Sequence, residues 1–124
     1  MSIWKFKVFL SNRELDTFEE WLTDQDKEAR VRIRNTIAYL ANIERHQWGR
    51  PYFAPIGKSI YEIRVQSGKK QYRIFGCFGF GPQTFTLLIG TGKKGKTYTP
   101  KDAIKTAQKR RKLIDEDRGY LGEY

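Results

Sequence analysis

Two arginines carry most of the chemistry this sequence offers. Ile60-Tyr61-Glu62-Ile63-Arg64-Val65-Gln66 and Gln71-Tyr72-Arg73-Ile74-Phe75 alternate in polarity, and the polar, glycine-containing Ser67-Gly68-Lys69-Lys70 lies between them. Alternating runs on either side of such a turn predict an antiparallel hairpin. Pairing Gln66 with Gln71 sets Arg64 opposite Arg73 and gathers Tyr61, Ile63 and Val65 with Gly76, Ile74 and Tyr72 on a core face. Glu62, Arg64, Gln66, Gln71 and Arg73 then share the other, polar face. Like charges directly opposite on a sheet repel. The pair therefore predicts an anion between two guanidinium forks, whose geometry suits phosphate. The competing expectation is a solvated face with both arginines splayed into water.

Catalysis on such a face has to come from Arg, Lys, Glu and Tyr. Cys77 and His46 are the only residues of their types, too few for a dedicated zinc site or an intrachain disulfide. The chain has no phosphate-binding glycine loop and no dinucleotide fingerprint, and no base partner is evident that would make Cys77 a nucleophile. His46 falls near a predicted helix end, where a structural or capping role is expected. RNA cleavage needs none of these, because RNA brings its own nucleophile, the 2′-OH. The protein must align that hydroxyl with the adjacent phosphate, stabilise the added negative charge and move a proton. Arginine and lysine supply the second role without a metal or other cofactor. Glu62 is the candidate for the third, against the plainer expectation of an ion pair with an arginine. Gly90 is expected opposite Arg73, where a missing side chain either admits a backbone or reflects strand-end geometry. Lys93, Lys94 and Lys96 close a basic rim, and Phe75 and Tyr98 are rings near it on which unpaired bases can stack.

The formal net charge is +10 and the pI is near 9.8, which points to a polyanionic partner. A membrane surface also attracts basic proteins, but the longest apolar run, Phe85 to Ile89, is far too short to span a bilayer. From Ile3 onward the N-terminus alternates instead of forming the apolar stretch of a signal peptide, so the expected compartment is the cytoplasm. The charge is segregated. Residues 11–28 hold seven acids and two bases, and residues 93–112 hold nine bases and one acid. Either two faces meet different partners, or the segments neutralise each other in the fold.

The elements that position these residues read as β-α-α-β-β-β-α. A strand from Ile3 to Leu10 precedes a helix capped by Ser11 or Asn12 with Leu15, Phe18, Trp21 and Leu22 on one side. A second helix runs from about Asp26 to His46 with Ala29, Ile33, Ile37, Leu40 and Ala41 in a stripe. Residues 48–57 read as a loop. The arginine hairpin follows, then a strand from Thr84 to Thr91 with Phe85, Leu87 and Ile89 facing in. Thr99 and Pro100 open the last helix, with Asp102 at the acidic place of a capping box. Lys101, Lys105, Lys109 and Lys112 form its basic stripe. The expectation is an α+β fold, an antiparallel twisted sheet with two helices on one face and the arginines on the other, more open face. It forms one domain over residues 1–114. Residues 115–124 lack periodicity and read as a mobile tail.

Tyr61-Glu62-Ile63-Arg64, Gln71 to Phe75, Leu87-Leu88-Ile89-Gly90-Thr91-Gly92-Lys93-Lys94, and Thr99-Pro100 before a helix with Ala103 and Ala107 form an ordered series. Together they resemble the RelE/ParE toxin superfamily, in particular its phage-derived HigB-like branch. The resemblance implies a microbial-RNase-like sheet, a cognate antitoxin as partner, and ribosome-dependent cleavage of mRNA with no cofactor. It carries function onto Arg64, Arg73, Lys93 and Lys94, and more loosely onto Tyr98. Arg73 would then bind the scissile phosphate, and Arg64, Lys93 and Lys94 would position the RNA. Lys96 would bind RNA with the rest of the basic rim, and Lys101, Lys105 and Lys109 on the last helix would contact ribosomal RNA. The sequence departs from the family where Glu62 replaces the lysine of RelE, and where the histidine of HigB relatives has no counterpart. Two alternatives stand beside this reading: a ParE-like inhibitor of DNA gyrase, and a non-catalytic RNA-binding module.

Overall fold

The computed structural model describes residues 2–124. It is a mixed α+β chain. Strand β1 (Lys5–Ser11), a short β2 (Leu15–Asp16) and helices α1 (Thr17–Thr23) and α2 (Lys27–Ala41) lead to β3 (Phe53–Gly57). The central strands are β4 (Ile60–Ser67), β5 (Lys70–Phe78) and β6 (Thr84–Lys94). Then come β7 (Thr97–Thr99), α3 (Ala103–Glu116) and β8 (Leu121–Glu123). One sheet runs in the order β2-β1-β6-β5-β4-β3, with β7 paired to β6 and β8 to β1. β1 lies parallel to β6; the other pairings are antiparallel. Among the described residues no helix is long and apolar enough to cross a membrane.

The sheet has a core on each face. On the first, α1 and α2 bury Phe18, Leu22, Ala29, Ile33, Ile37 and Leu40 against Val8, Ile63, Val65, Tyr72, Ile74, Phe85 and Leu87. Both helices start on aspartates whose side chains accept from a backbone N–H in the first turn, Asp16 from Glu19 and Asp26 from Ala29. The other face, expected to be open, is half covered. There α3 sets Ala103, Ala107 and Ile114 on Phe9, Ile60, Phe75, Cys77, Leu88 and Ile89. Phe75 is therefore core, not a ring free for stacking.

A bulge makes this two-faced packing possible. Phe75 pairs with Ile89 while Gly76 pairs with Leu87, so Leu88 is an extra residue in β6. The bulge inverts the alternation. Phe85 and Leu87 face the paired helices, and Ile89 faces α3 rather than the side expected for it. Arg110 anchors the irregularity from α3: its guanidinium donates to the Leu88 carbonyl oxygen at 2.9 Å and lies over the Phe9 ring.

Several boundaries move from the sequence expectation. The first helix begins after Asp16, because Asn12 and Arg13 adopt positive φ in the turn that pairs β2 with β1. α2 ends at Ala41 and not at His46, since the N–H groups of Ile3 and Trp4 take up the Ala41 carbonyl at 2.8 and 2.9 Å. His46 sits exposed in a short 3-10 turn, Arg45–Gln47, and the chain then buries Trp48. Part of the expected loop is strand β3, paired to β4 from Phe53↔Ile63 to Gly57↔Ile60. Thr99 is the last residue of β7 and pairs with Gly92, so α3 starts at Ala103 behind Asp102, which makes no side-chain cap. The C-terminal segment is no loose tail here. Residues 121–123 pair with β1, and Tyr120 stacks on Phe9 with ring centroids 5.9 Å apart. A three-residue strand is too short to register as an alternating pattern.

Candidate functional site

The hairpin pairs as its alternation dictates: Arg64↔Arg73, with Gln66↔Gln71 and Glu62↔Phe75 to either side. On β6, Thr91 lies opposite Arg73 and Lys93 opposite Gln71, while β7 brings Tyr98 opposite Lys93. Because side chains alternate along a strand, Glu62, Arg64, Arg73, Thr91, Lys93 and Tyr98 converge on the part of the second face that α3 leaves uncovered.

Glu62 stands between the arginines. Its Oε2 lies 3.6 Å from Arg64 Nε and its Oε1 lies 3.6 Å from Arg73 Nε. Both separations exceed hydrogen-bond length, and Oε1 and Arg73 Nε are buried without a hydrogen-bond partner. Arg73 is held instead at its tips, one nitrogen donating to the Tyr72 carbonyl at 2.9 Å and the other to Gln71 Oε1 at 3.0 Å. Only 5 % of its side chain is exposed, against 28 % for Arg64. Burial lowers the Arg73 pKa from its ordinary value and the neighbouring Arg64 lowers it further; Glu62 and Tyr98 partly restore it. One carboxylate between two cations leaves an excess positive charge in a poorly solvated place, which favours an added anion.

Tyr98 closes the apolar end of this cluster. Its ring meets Phe75 edge-on at 5.1 Å, and Lys93 Nζ lies 5.4 Å from its centre. Burial raises its pKa, and the Glu62 carboxylate beside it raises it further against the opposing arginines. The phenol therefore stays protonated across the neutral range. At the other end, β3 stops flanking β4 at Phe53↔Ile63, and the Arg64 N–H turns to the Tyr52 carbonyl at 2.8 Å. There the sheet edge opens into a groove of about 650 Å³, lined by Arg64, Gln66, Gln71 and Arg73 from the hairpin, Pro51 and Tyr52 from the preceding loop, and Arg32 and Asn35 from α2. None of its lining residues is acidic.

Not every residue singled out by the sequence joins this site. Lys94 pairs with Thr97, one position out of phase with Lys93, so it projects to the opposite side of the sheet from Arg73. Gly90 lies opposite Ile74 and not Arg73. The space at its missing side chain belongs to Trp21, whose ring a Cβ would approach to 2.2 Å. Both shifts follow from the bulge, which changes the phase of β6. Lys96, Lys101, Lys105 and Lys109 are exposed around the turn after β6 and along α3, outside the arginine cluster. Cys77 is buried under α3, where burial pushes its thiol up to about 11; that makes it a poor nucleophile. Gln71 lies on the polar face that the alternation predicts, and its side chain supports Arg73; Arg32 and Tyr52 on the groove wall carry no sequence signal, because they reach the site through tertiary packing and not through the hairpin's alternation.

The segregated charge stays segregated. No ion pair among the described residues joins an acid of 11–28 to a base of 93–112. α1 and α3 lie on opposite faces of the sheet, which leaves the α3 side strongly basic.

No curated protein matches the chain. Residues 20–112, from α1 to within α3, match the model of the family described as Phage derived protein Gp49-like (DUF891). The match takes in the whole arginine cluster and most of both cores, and the chain belongs to this phage-derived Gp49-like family of RelE-toxin-like proteins.

Proposed function

We propose that this chain is the toxin of a toxin–antitoxin pair, and that it cleaves mRNA on the ribosome by metal-independent transfer to the 2′-OH. The observation that carries the reading is the pair Arg64 and Arg73, opposite each other with Glu62 between them at 3.6 Å from each. Arg64, the more accessible of the two, and Lys93 hold the scissile phosphate. Arg73, buried behind them, keeps the site positive as charge builds on phosphorus. The 2′-oxygen attacks phosphorus and the bond to the 5′-oxygen breaks, leaving a 2′,3′-cyclic phosphate and a 5′-hydroxyl. Tyr98 donates the proton that the 5′-oxygen takes up. Glu62 is the only acid between residues 60 and 99. It positions the two arginines and is the nearest acceptor for the 2′-OH proton. The basic face of α3, with Lys101, Lys105 and Lys109, and Lys96 before it, meets ribosomal RNA. Family membership supports a cognate antitoxin that covers the arginine face, and a partner competing with RNA there is expected to present acids.

The test is cell-free translation with purified protein and mapping of mRNA 5′ ends by primer extension. Cleavage at A-site codons that disappears with Arg64→Ala supports the reading. Intact mRNA with normal protein synthesis rejects it, and DNA damage without translational arrest would instead indicate action on gyrase.

A further inference from the structure

We propose that the groove between α2 and the open end of β4 is a subsite for single-stranded RNA, stacking an unpaired base on Tyr52 and Tyr39 while Arg32 holds the flanking phosphate. The inference rests on the RNA reading of the arginine face and extends it to nucleotides beyond the scissile bond. Tyr39 and Tyr52 are 49 % and 45 % exposed, among the most exposed large hydrophobic residues of the described chain. Their rings meet edge-on at 5.5 Å and 65°, a contact that takes up at most one face of one ring. Tyr52 lines both the arginine groove and a smaller adjoining hollow of about 300 Å³ shared with Asn35, Thr36 and Tyr39. One continuous surface therefore runs from the two buried-to-exposed arginines to two exposed rings.

The lining favours a nucleic acid over a protein. Its charges are all cationic, and Val65 and Pro51 are the only aliphatic side chains in the larger groove, so an apolar anchor of a protein partner finds little surface to bury. Arginines for phosphates, rings for bases and amides at Asn35, Gln66 and Gln71 for base edges are the groups by which unpaired RNA is held. Arg32 is available for this, since its partner is the exposed Glu28 one turn away at 3.3 Å, an ion pair of small worth in water.

The experiment titrates the full chain with a fluorescent single-stranded RNA of mixed sequence and with a duplex RNA of the same length. Tyr52→Leu is expected to weaken single-strand binding about tenfold, as removal of a stacking ring does, and to leave duplex binding unchanged. Tyr52→Phe should bind like the parent. Thermal melts establish that each variant is folded, and Tyr39→Leu provides the same readout where Tyr52→Leu does not fold. Unchanged single-strand binding in the leucine variants, equal loss for duplex and single strand, or no single-strand binding by the parent each overturn the proposal. So does a loss confined to an acidic helical peptide titrated in parallel, which would assign the groove to a protein. Tyr52-dependent RNA binding without mRNA cleavage in translation would remove the nuclease reading and leave the subsite standing. Cleavage with ring-independent binding would do the reverse.

Discussion

Glu62 Oε1 faces Arg73 Nε at 3.6 Å, both atoms buried and neither hydrogen-bonded. The two charges are close enough to depend on each other and too far apart to be fully compensated. Truncating one partner of a buried pair typically costs about 3 kcal/mol, much of it from the charge left behind. Arg73→Ala is therefore expected to lower stability by roughly that amount, reduced by whatever Arg64 still offers Glu62. Adding Glu62→Gln should recover part of the loss, so that the double variant is less destabilised than the sum of the singles. Urea denaturation of the four proteins measures this, and strict additivity would mean that the pair is not coupled. It follows that loss of toxicity in Arg73→Ala mixes stability with chemistry, whereas Arg64→Ala, at a half-buried position, is the cleaner probe of phosphate binding.

Gly90 packs against Trp21, and a methyl group there would lie 2.2 Å from the indole. Trp21 sits on α1 next to Phe18 and Tyr72, so it has little room to move away. Gly90→Ala is expected to destabilise by about 1–3 kcal/mol through overpacking. Gly92→Ala, two residues on, meets nothing within 4 Å and serves as the control. Equal midpoints for the two variants in urea would show that α1 yields easily.

The hairpin was legible because strand alternation and a glycine turn leave one register that buries Ile63, Val65, Tyr72 and Ile74 together. Helix stripes were equally legible in α1 and α2. What escaped was set by tertiary partners. The bulge at Leu88 leaves no local mark, since Leu87, Leu88 and Ile89 are all apolar and all buried. An apolar run gives no phase, so the sequence sets Gly90 opposite Arg73 where the structure sets it opposite Ile74, and it cannot separate Lys93 from Lys94. β3 and β8 are short and contain proline or glycine, and each exists only because a longer strand pairs with it. Glu62 beside two arginines is visible in the register, but the near burial of Arg73 depends on Tyr98, which β7 brings to the same face.

Arg110 holds the bulge in place through the Leu88 carbonyl, with Thr17 Oγ1 a second, longer acceptor at 3.4 Å. Arg110→Ala leaves that carbonyl without its partner and removes the cation from the Phe9 ring. A loss of about 1–3 kcal/mol is expected from the unsatisfied group. Arg110→Lys should restore only part of it, because a strongly hydrated ammonium does not lie flat over the Phe9 ring as the guanidinium does. A lysine variant as stable as the parent would reduce the role of Arg110 to charge alone.

The C-terminal residues should matter for stability. Tyr124 lies near Phe6 and Phe18, with ring centroids 6.2 and 6.1 Å away, and Tyr120 stacks on Phe9. Each aromatic pair is worth about 0.5–1.5 kcal/mol beyond its buried area. Ending the chain after Glu116 removes these contacts and uncovers one edge of β1. The truncated protein is expected to lose at least about 2 kcal/mol and to self-associate through the exposed edge. An unchanged melting temperature with a monomeric elution profile would count against this role for β8.

Tyr98 links the site to pH. Burial first, and then Glu62, disfavour its phenolate, so the hydroxyl remains protonated beyond the ordinary tyrosine range. If Tyr98 supplies the proton taken up by the leaving 5′-oxygen, cleavage should hold through neutral and mildly alkaline pH. It should fall only as pH rises past the raised value. Tyr98→Phe keeps the ring on Phe75 but removes the proton, and the expected loss in rate is about 10²- to 10⁴-fold, with the alkaline limb of the profile gone from the residual activity. Single-turnover cleavage on programmed ribosomes over a pH series gives both readouts. A phenylalanine variant that keeps the parent's rate would reassign Tyr98 to packing, and one that loses rate but keeps the alkaline limb would place the titrating donor elsewhere on the arginine face.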